Sequence, residues 1–291
     1  MSFDIEEARK KWQLTDEEFN KNMDEIFAEL SLLAEKQEHP TFVFVGGQAG
    51  SGKSVLVAKE NQNLNGRAII IDQDELRPKY PRDKYKQIHD SCTEREEFLL
   101  LKPYISRAVR TLEMRAVDEG YNIILESALR SVSSFIDTIQ ELKERGYRTK
   151  LSVLATPEVE ANLSMLTRYC YYLQRDGECR RNTRLDHDAV ERLRMNIQRL
   201  DELEIFDDIT ISMRGKRMDA LPIEIYAKQK NVTMTPLQAY DYGVRCSFED
   251  TAKNFQSRYN QIRTVLMQYN EMKQLEKLEE IKNAFDKEEG R

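Results

Sequence analysis

Thr41 to Ser54 reads TFVFVGGQAGSGKS, and no other stretch narrows the possible folds of this chain as far. Phe42 to Val45 are apolar and two of them are Val, the pattern of a short strand buried on both faces. The strand runs straight into Gly47, Gln48, Ala49, Gly50, Ser51, Gly52, Lys53 and Ser54, which fits G-x-x-x-x-G-K-[ST]. Glycines at this spacing let the backbone curl until several N–H groups point inward at phosphate oxygens. A helix starting near Gly52 adds its positive end. In such a loop Lys53 reaches the β- and γ-phosphates of ATP, and the Ser54 hydroxyl ligates Mg²⁺. The helical start Val55-Leu56-Val57-Ala58 completes a strand–loop–helix unit. Nucleotide binding is the expectation.

Two further strands end in carboxylates. Arg67 to Ile71 is followed by Asp72-Gln73-Asp74, and Tyr121 to Leu125 by Glu126, with Arg130 four residues on. Acids just past the C-terminal end of a parallel strand face the crevice where open α/β sheets bind ligands. One of Asp72 and Asp74 suits a general base or a magnesium contact, and either suits a helix N-cap. Residues 75–119 read as charged helix broken at Pro78, Pro81 and Pro103. Arg148 to Thr156 is a fourth strand, followed by a helix from Pro157 to Gln174 that carries Arg168. Next comes an arginine-rich segment with Arg175, Arg180, Arg181 and Arg184. It reads either as a solvated basic loop or as an arginine lid over a transferring phosphate. Phe206 to Met213 and Ile223 to Lys228 are late strands joined at Arg214-Gly215-Lys216.

Strands alternating with helices predict an α/β fold with a mostly parallel sheet and helices on both faces. A P-loop kinase domain is expected over 1–230, with a helical N-terminal arm over 1–40 that packs on the sheet. In that arm Thr15 to Glu18 is a capping box. A helical C-terminal extension is expected over 231–291, opening at Thr235-Pro236. Phe255, Tyr259, Ile262, Leu266 and Tyr269 form one stripe along it, grading into the charged tail Lys282 to Arg291.

Charge and composition exclude several classes. Lys plus Arg is 45 against 51 Asp plus Glu, a net −6, which argues against a nucleic-acid partner. The four cysteines form no C-x-x-C pair, and reduced thiols in a cytoplasmic protein are expected. No run approaches the length of a membrane span, so no membrane association is expected. The guanine-reading N-K-x-D stretch is missing, and so is an apolar run ending in Asp-Glu, which leaves a small-molecule kinase ahead of a GTPase or an ATP-driven motor.

The loop at 46–54, IDQD at 71–74, GYNIILE at 120–126, LTRY at 166–169 and the spacing from Arg180 to His187-Asp188 occur here in one order. Together they resemble the zeta toxin kinases of bacterial epsilon/zeta toxin–antitoxin systems, over roughly residues 14 to 228. The resemblance implies transfer of the γ-phosphoryl of ATP, with Mg²⁺, to the 3′-hydroxyl of the amino sugar in UDP-N-acetylglucosamine. It also implies depletion of a cell-wall precursor and an epsilon-type antitoxin partner that blocks the nucleotide site. On this resemblance Asp74 is the general base, and Glu126 and Arg130 bind substrate. Arg168 and Arg180 are the phosphate-binding arginines, with Arg181 the neighbouring register. Two positions depart from the family pattern. Ala128 stands where a threonine is usual, and Arg110, beside the expected substrate, stands where a glutamate is usual. Two other readings compete: a related kinase acting on another small molecule, a nucleotide or a polynucleotide 5′-end, and a catalytically decayed nucleotide-binding module.

Overall fold

A computed structural model describes residues 4–129, 132–179, 183, 185, 187–215, 220–230 and 233–290. Their contacts divide into two compact units interleaved along the chain. The first takes in Met1–Val43, Glu60–Glu126 and Leu142–Arg148, and the second Phe44–Lys59, Ser127–Glu141 and Thr149–Arg291.

In the first unit, α1 (Ile5–Trp12) and α2 (Asp16–Leu30) form the N-terminal arm. Thr15 and Glu18 close the expected capping box, satisfying two backbone donors that a helix start leaves free. The arm lies along α5 (Glu94–Asp118), which takes the place expected for the sheet. Arg107 of α5 stacks 3.9 Å over the Phe19 ring and bonds Asp16, and Arg115 stacks 4.1 Å over Phe27 and bonds Asp24. Each arginine thereby covers an aromatic ring with its plane and keeps its charge paired.

Between these helices the chain forms β1 (Thr41–Gly46), β2 (Ile69–Asp72) and α4 (Arg82–Ser91). The expected break at Pro103 does not occur, because α5 runs through it. A proline there leaves the carbonyl one turn earlier without its helical donor. That carbonyl, on Leu99, instead accepts from Arg9 Nη2 of α1 at 3.3 Å. The strands of this unit stand in the order β2, β3 (Ile123–Ser127), β1, with β2 and β3 parallel.

β1 passes into the second unit, where the order is β1, β4 (Arg148–Ala155), β5 (Asp208–Met213), β6 (Ile223–Ala227). β4 and β5 are parallel, whereas β6 returns antiparallel with a register shift at Ile211/Ser212. The result is the expected α/β architecture, a mostly parallel sheet flanked by helices. The helices here are α7 (Glu158–Asp176), α8 (Ala189–Glu202), α9 (Pro236–Gln268) and α10 (Met272–Glu289), while α3 (Lys53–Asn63) begins in this unit and ends in the first. α6 (Ser133–Glu144) begins in this unit and ends in the first.

α9 opens on a capping box between Thr235 and Gln238 and packs against α7, α8, β5 and β6. The C-terminal extension is helical as expected, but the one helix grading into a charged tail is two: after α9 the chain turns and α10 packs back onto α9 and α7. Leu278, Ile281 and Phe285 lie buried among Leu163, Leu166, Tyr169, Phe255 and Ile262. Phe285 stacks on Phe255 with ring centroids 3.9 Å apart. Within this cluster burial pushes the Cys170 thiol up to about 12.

Two outcomes check this packing. Phe285→Ala should lower unfolding free energy by about 3 kcal/mol in a urea titration, as for a core aromatic, whereas a solvated tail would lose almost nothing. In the native protein at neutral pH a thiol reagent should leave Cys170 unmodified, and labelling should follow global unfolding.

Candidate active site

The phosphate-type loop is built by the end of β1 and the start of α3. Ser51 N–H donates to the Gln48 carbonyl at 3.2 Å, and Lys53 Nζ folds back onto the same carbonyl at 3.0 Å. The Gln48 side chain does not face a ligand. It is buried, and its amide donates to the Thr156 and Pro157 carbonyls at 3.0 and 3.3 Å, which fixes the loop to the β4–α7 junction. Thr156 Oγ1 adds a bond to the Ser51 carbonyl at 3.1 Å.

Gly50 is where the loop demands glycine. Its φ is +77°, and a Cβ there would stand 2.1 Å from the Ala161 carbonyl oxygen. Gly52, with φ +97°, turns the chain into α3. Inside the loop Ser51 Oγ is buried without a hydrogen-bond partner among the described residues. An unsatisfied hydroxyl beside inward-facing amides fits an anionic ligand. Ser54 is exposed in the first turn of α3, where its hydroxyl could serve a magnesium ion held mainly by phosphates and water. Among the described residues no three His, Cys, Asp or Glu side chains are grouped to hold a metal by themselves.

α7 carries the second part of this half-site. Glu160, Ser164 and Arg168 recur every four residues and share one face. Arg168 is half-buried and makes no hydrogen bond or ion pair to any described residue. Glu160, by contrast, is fully engaged. Its Oε1 takes Arg214 Nη1, its Oε2 takes Arg258 Nη1 at 2.6 Å and Thr251 Oγ1 at 3.1 Å, and Ser164 Oγ donates to it at 2.8 Å. Arg214 follows β5 directly, and burial holds its guanidinium below the ordinary arginine value. The sequence reading missed this cluster entirely. Its members lie 54 and 98 residues from Glu160 along the chain, and Arg214 looks like a turn residue.

The acids belong to the first unit. The β2/β3 register sets Asp72 beside Glu126, so the two strand ends expected to carry function are brought together. Asp72 Oδ1 accepts the Asp74 N–H at 2.8 Å and so shapes the turn. The Asp74 carboxylate is exposed and has no hydrogen-bond partner among the described residues. Neither acid caps an α-helix. Arg110 lies on α5, where its Nη1 pairs with Glu113 at 3.1 Å. Arg130, Arg180 and Arg181 fall outside the described residues.

The chain was compared with known proteins. The model of the Zeta toxin family matches residues 24–226. Toxin zeta of Streptococcus pyogenes is 26% identical over 230 residues, covering 78% of this chain and 77% of the relative. Toxin PezT of Streptococcus pneumoniae serotype 4 is 28% identical over 221 residues, covering 75% and 84%. Among solved structures, a chain from the PezAT chromosomal toxin–antitoxin system of Streptococcus pneumoniae superposes with a TM-score of 0.75 at 24% identity. It covers 89% of this chain and 100% of that one. A chain from the AvrRxo1-ORF1:-ORF2 crystal structure with ATP gives a TM-score of 0.52 at 14% identity, covering 78% and 71%.

Because Gly50 combines positive φ with a backbone neighbour, Gly50→Ala should cost about 1–2 kcal/mol in strain alone and displace the loop from α7. The expected result is a lower melting temperature together with at least tenfold weaker ATP binding. Ala49→Ser at the exposed neighbour should change neither.

Proposed function

Because the chain belongs to the zeta toxin family, whose members are kinase-type phosphotransferases that use ATP, we propose that it phosphorylates the amino-sugar 3′-hydroxyl of UDP-N-acetylglucosamine or a related UDP-sugar. In this reading it is the toxin of a toxin–antitoxin pair and is held inactive by an epsilon-type antitoxin. The observation that carries catalysis, beyond nucleotide binding, is the free carboxylate of Asp74 at the end of β2. Asp72 is committed to the turn, which leaves Asp74 as the acid able to take a proton.

Each residue then has a task. Backbone N–H groups of Gly47 to Ser54 bind the β- and γ-phosphates, and Lys53 releases the Gln48 carbonyl to reach them. Magnesium, when bound, neutralises phosphate charge, and the Ser54 hydroxyl would be its protein ligand. Glu126 and Arg130 hold the sugar nucleotide. Asp74 orients the acceptor hydroxyl and takes its proton as the new O–P bond forms. The bond from the γ-phosphorus to the bridging oxygen breaks, ADP leaves, and Arg168 and Arg180 neutralise charge on the transferring group. Arg110 and Ala128 bear on which sugar is accepted. Arg110, paired with Glu113 on α5, puts a cation where the family pattern has a glutamate, and this supports a shifted choice of sugar.

The test is ATP consumption against a panel of UDP-sugars, with Lys53→Ala as the blank and product mass as the readout. Phosphorylated UDP-N-acetylglucosamine or a close relative is expected. Silence across the panel with ATP still bound would move the acceptor outside this class. Asp74→Asn should cut turnover by about 10²-fold or more while leaving the ATP dissociation constant within about twofold. Wild-type turnover in that variant would take the base role away from Asp74.

A further inference from the structure

One strongly charged cluster of the second unit has no part in the roles assigned above. Glu160 is buried, at 7% side-chain exposure, and it faces two guanidiniums, Arg214 at 19% and Arg258 at 21%. One carboxylate against two guanidiniums leaves an excess positive charge in a largely desolvated place, a costly arrangement unless an anion arrives. The surplus is directional. Arg258 spends Nη1 on Glu160 and Nη2 on Ser164 Oγ at 3.1 Å. Arg214 spends only Nη1, on Glu160 and on Ser164 Oγ at 3.0 Å. Its Nε and Nη2 make no hydrogen bond to any described residue.

These free donors stand against the loop. Arg214 Nε lies 3.6 Å, and Cζ 3.8 Å, from the point where a Cβ on Gly52 would be. Gly52 precedes Lys53, at the start of the helix whose amides the motif turns toward phosphate. The guanidinium thus lies in ordinary van der Waals range of the loop at Gly52, the position that turns the chain into α3. We infer that Arg214 is a further phosphate ligand of the nucleotide site, with Glu160 as the residue that positions it. The inference rests on the loop being a nucleotide site. A bidentate-capable, always charged group at this edge suits an oligophosphate better than an uncharged base.

Glu160 acts through Arg214. It fixes the Nη1 edge, which presents the opposite edge to the loop. Thr251 and Arg258 of α9 hold Glu160 in turn, and Ser164 accepts from both arginines while donating to the carboxylate. α9, which lies beyond the family match, thus becomes part of the nucleotide apparatus.

Calorimetric titration of the full chain with ATP and with inorganic tripolyphosphate, which has no base, tests this. Arg214→Met should weaken both ligands by about tenfold to a hundredfold, the worth of a charge-assisted hydrogen bond, with the melting temperature nearly unchanged because Glu160 keeps Arg258. Glu160→Gln should weaken both in parallel, and should add little further loss once Arg214 is already Met. Wild-type affinity in Arg214→Met, while Lys53→Ala loses both ligands, overturns the role of Arg214. Loss of ATP binding alone, with tripolyphosphate unaffected, assigns Arg214 to the base and also overturns it. Additive losses in the double variant overturn the positioning role of Glu160. If Lys53→Ala itself binds both ligands like the wild type, it is the nucleotide reading of the loop that fails.

Discussion

A loop that binds phosphate through backbone amides has to be held still by something other than its ligand. Here the Gln48 amide does most of that, bridging the loop to two carbonyls at the β4–α7 junction. Gly50 allows the closeness of the contact by sitting against the Ala161 carbonyl without a side chain. The loop is therefore only as well placed as α7. That helix is fixed on its apolar face by Leu163, Leu166, Tyr169 and Leu173, packed with residues of α9 and α10. Its charged face carries Glu160, Ser164 and Arg168. Apolar packing on one side sets the positions of charges on the other.

The parts of this molecule legible in the sequence are those whose signal is local. Strand, glycine-rich loop and helix start follow one another within fourteen residues at 41–54 and form as read. The capping box at Thr15 and the helix start at Thr235-Pro236 are patterns of a few residues and also hold. The pairing of Asp72 with Glu126 needed only the assumption that two acid-ended strands are parallel neighbours.

What escaped depended on partners distant in sequence. Pro103 looks like a helix break because its missing donor is a local fact, whereas the arginine that satisfies Leu99 comes from the arm. The end of the chain reads as a charged tail on one long helix because charged residues outnumber the few buried ones of α10. Only the matching stripe on α9 and the apolar face of α7 show where Leu278, Ile281 and Phe285 belong. The Glu160 cluster is the extreme case. A lone glutamate in a helix and two arginines far downstream carry no spacing that a motif could capture.

That long-range wiring has a bearing on synthesis. The loop at 47–54 leaves the ribosome early, yet the groups that hold Glu160 come from Thr251 and Arg258, and those that buttress α7 from α9 and α10. At roughly 5–20 residues per second, some ten to forty seconds separate the two events. Throughout that interval the nascent chain has its phosphate loop but lacks the braces of the helix on which the loop sits. On the proposed reading, a kinase that harms its own cell is, by this geometry, assembled last at the point that matters most. The delay gives a newly made inhibitor time to be present before the first competent molecule exists.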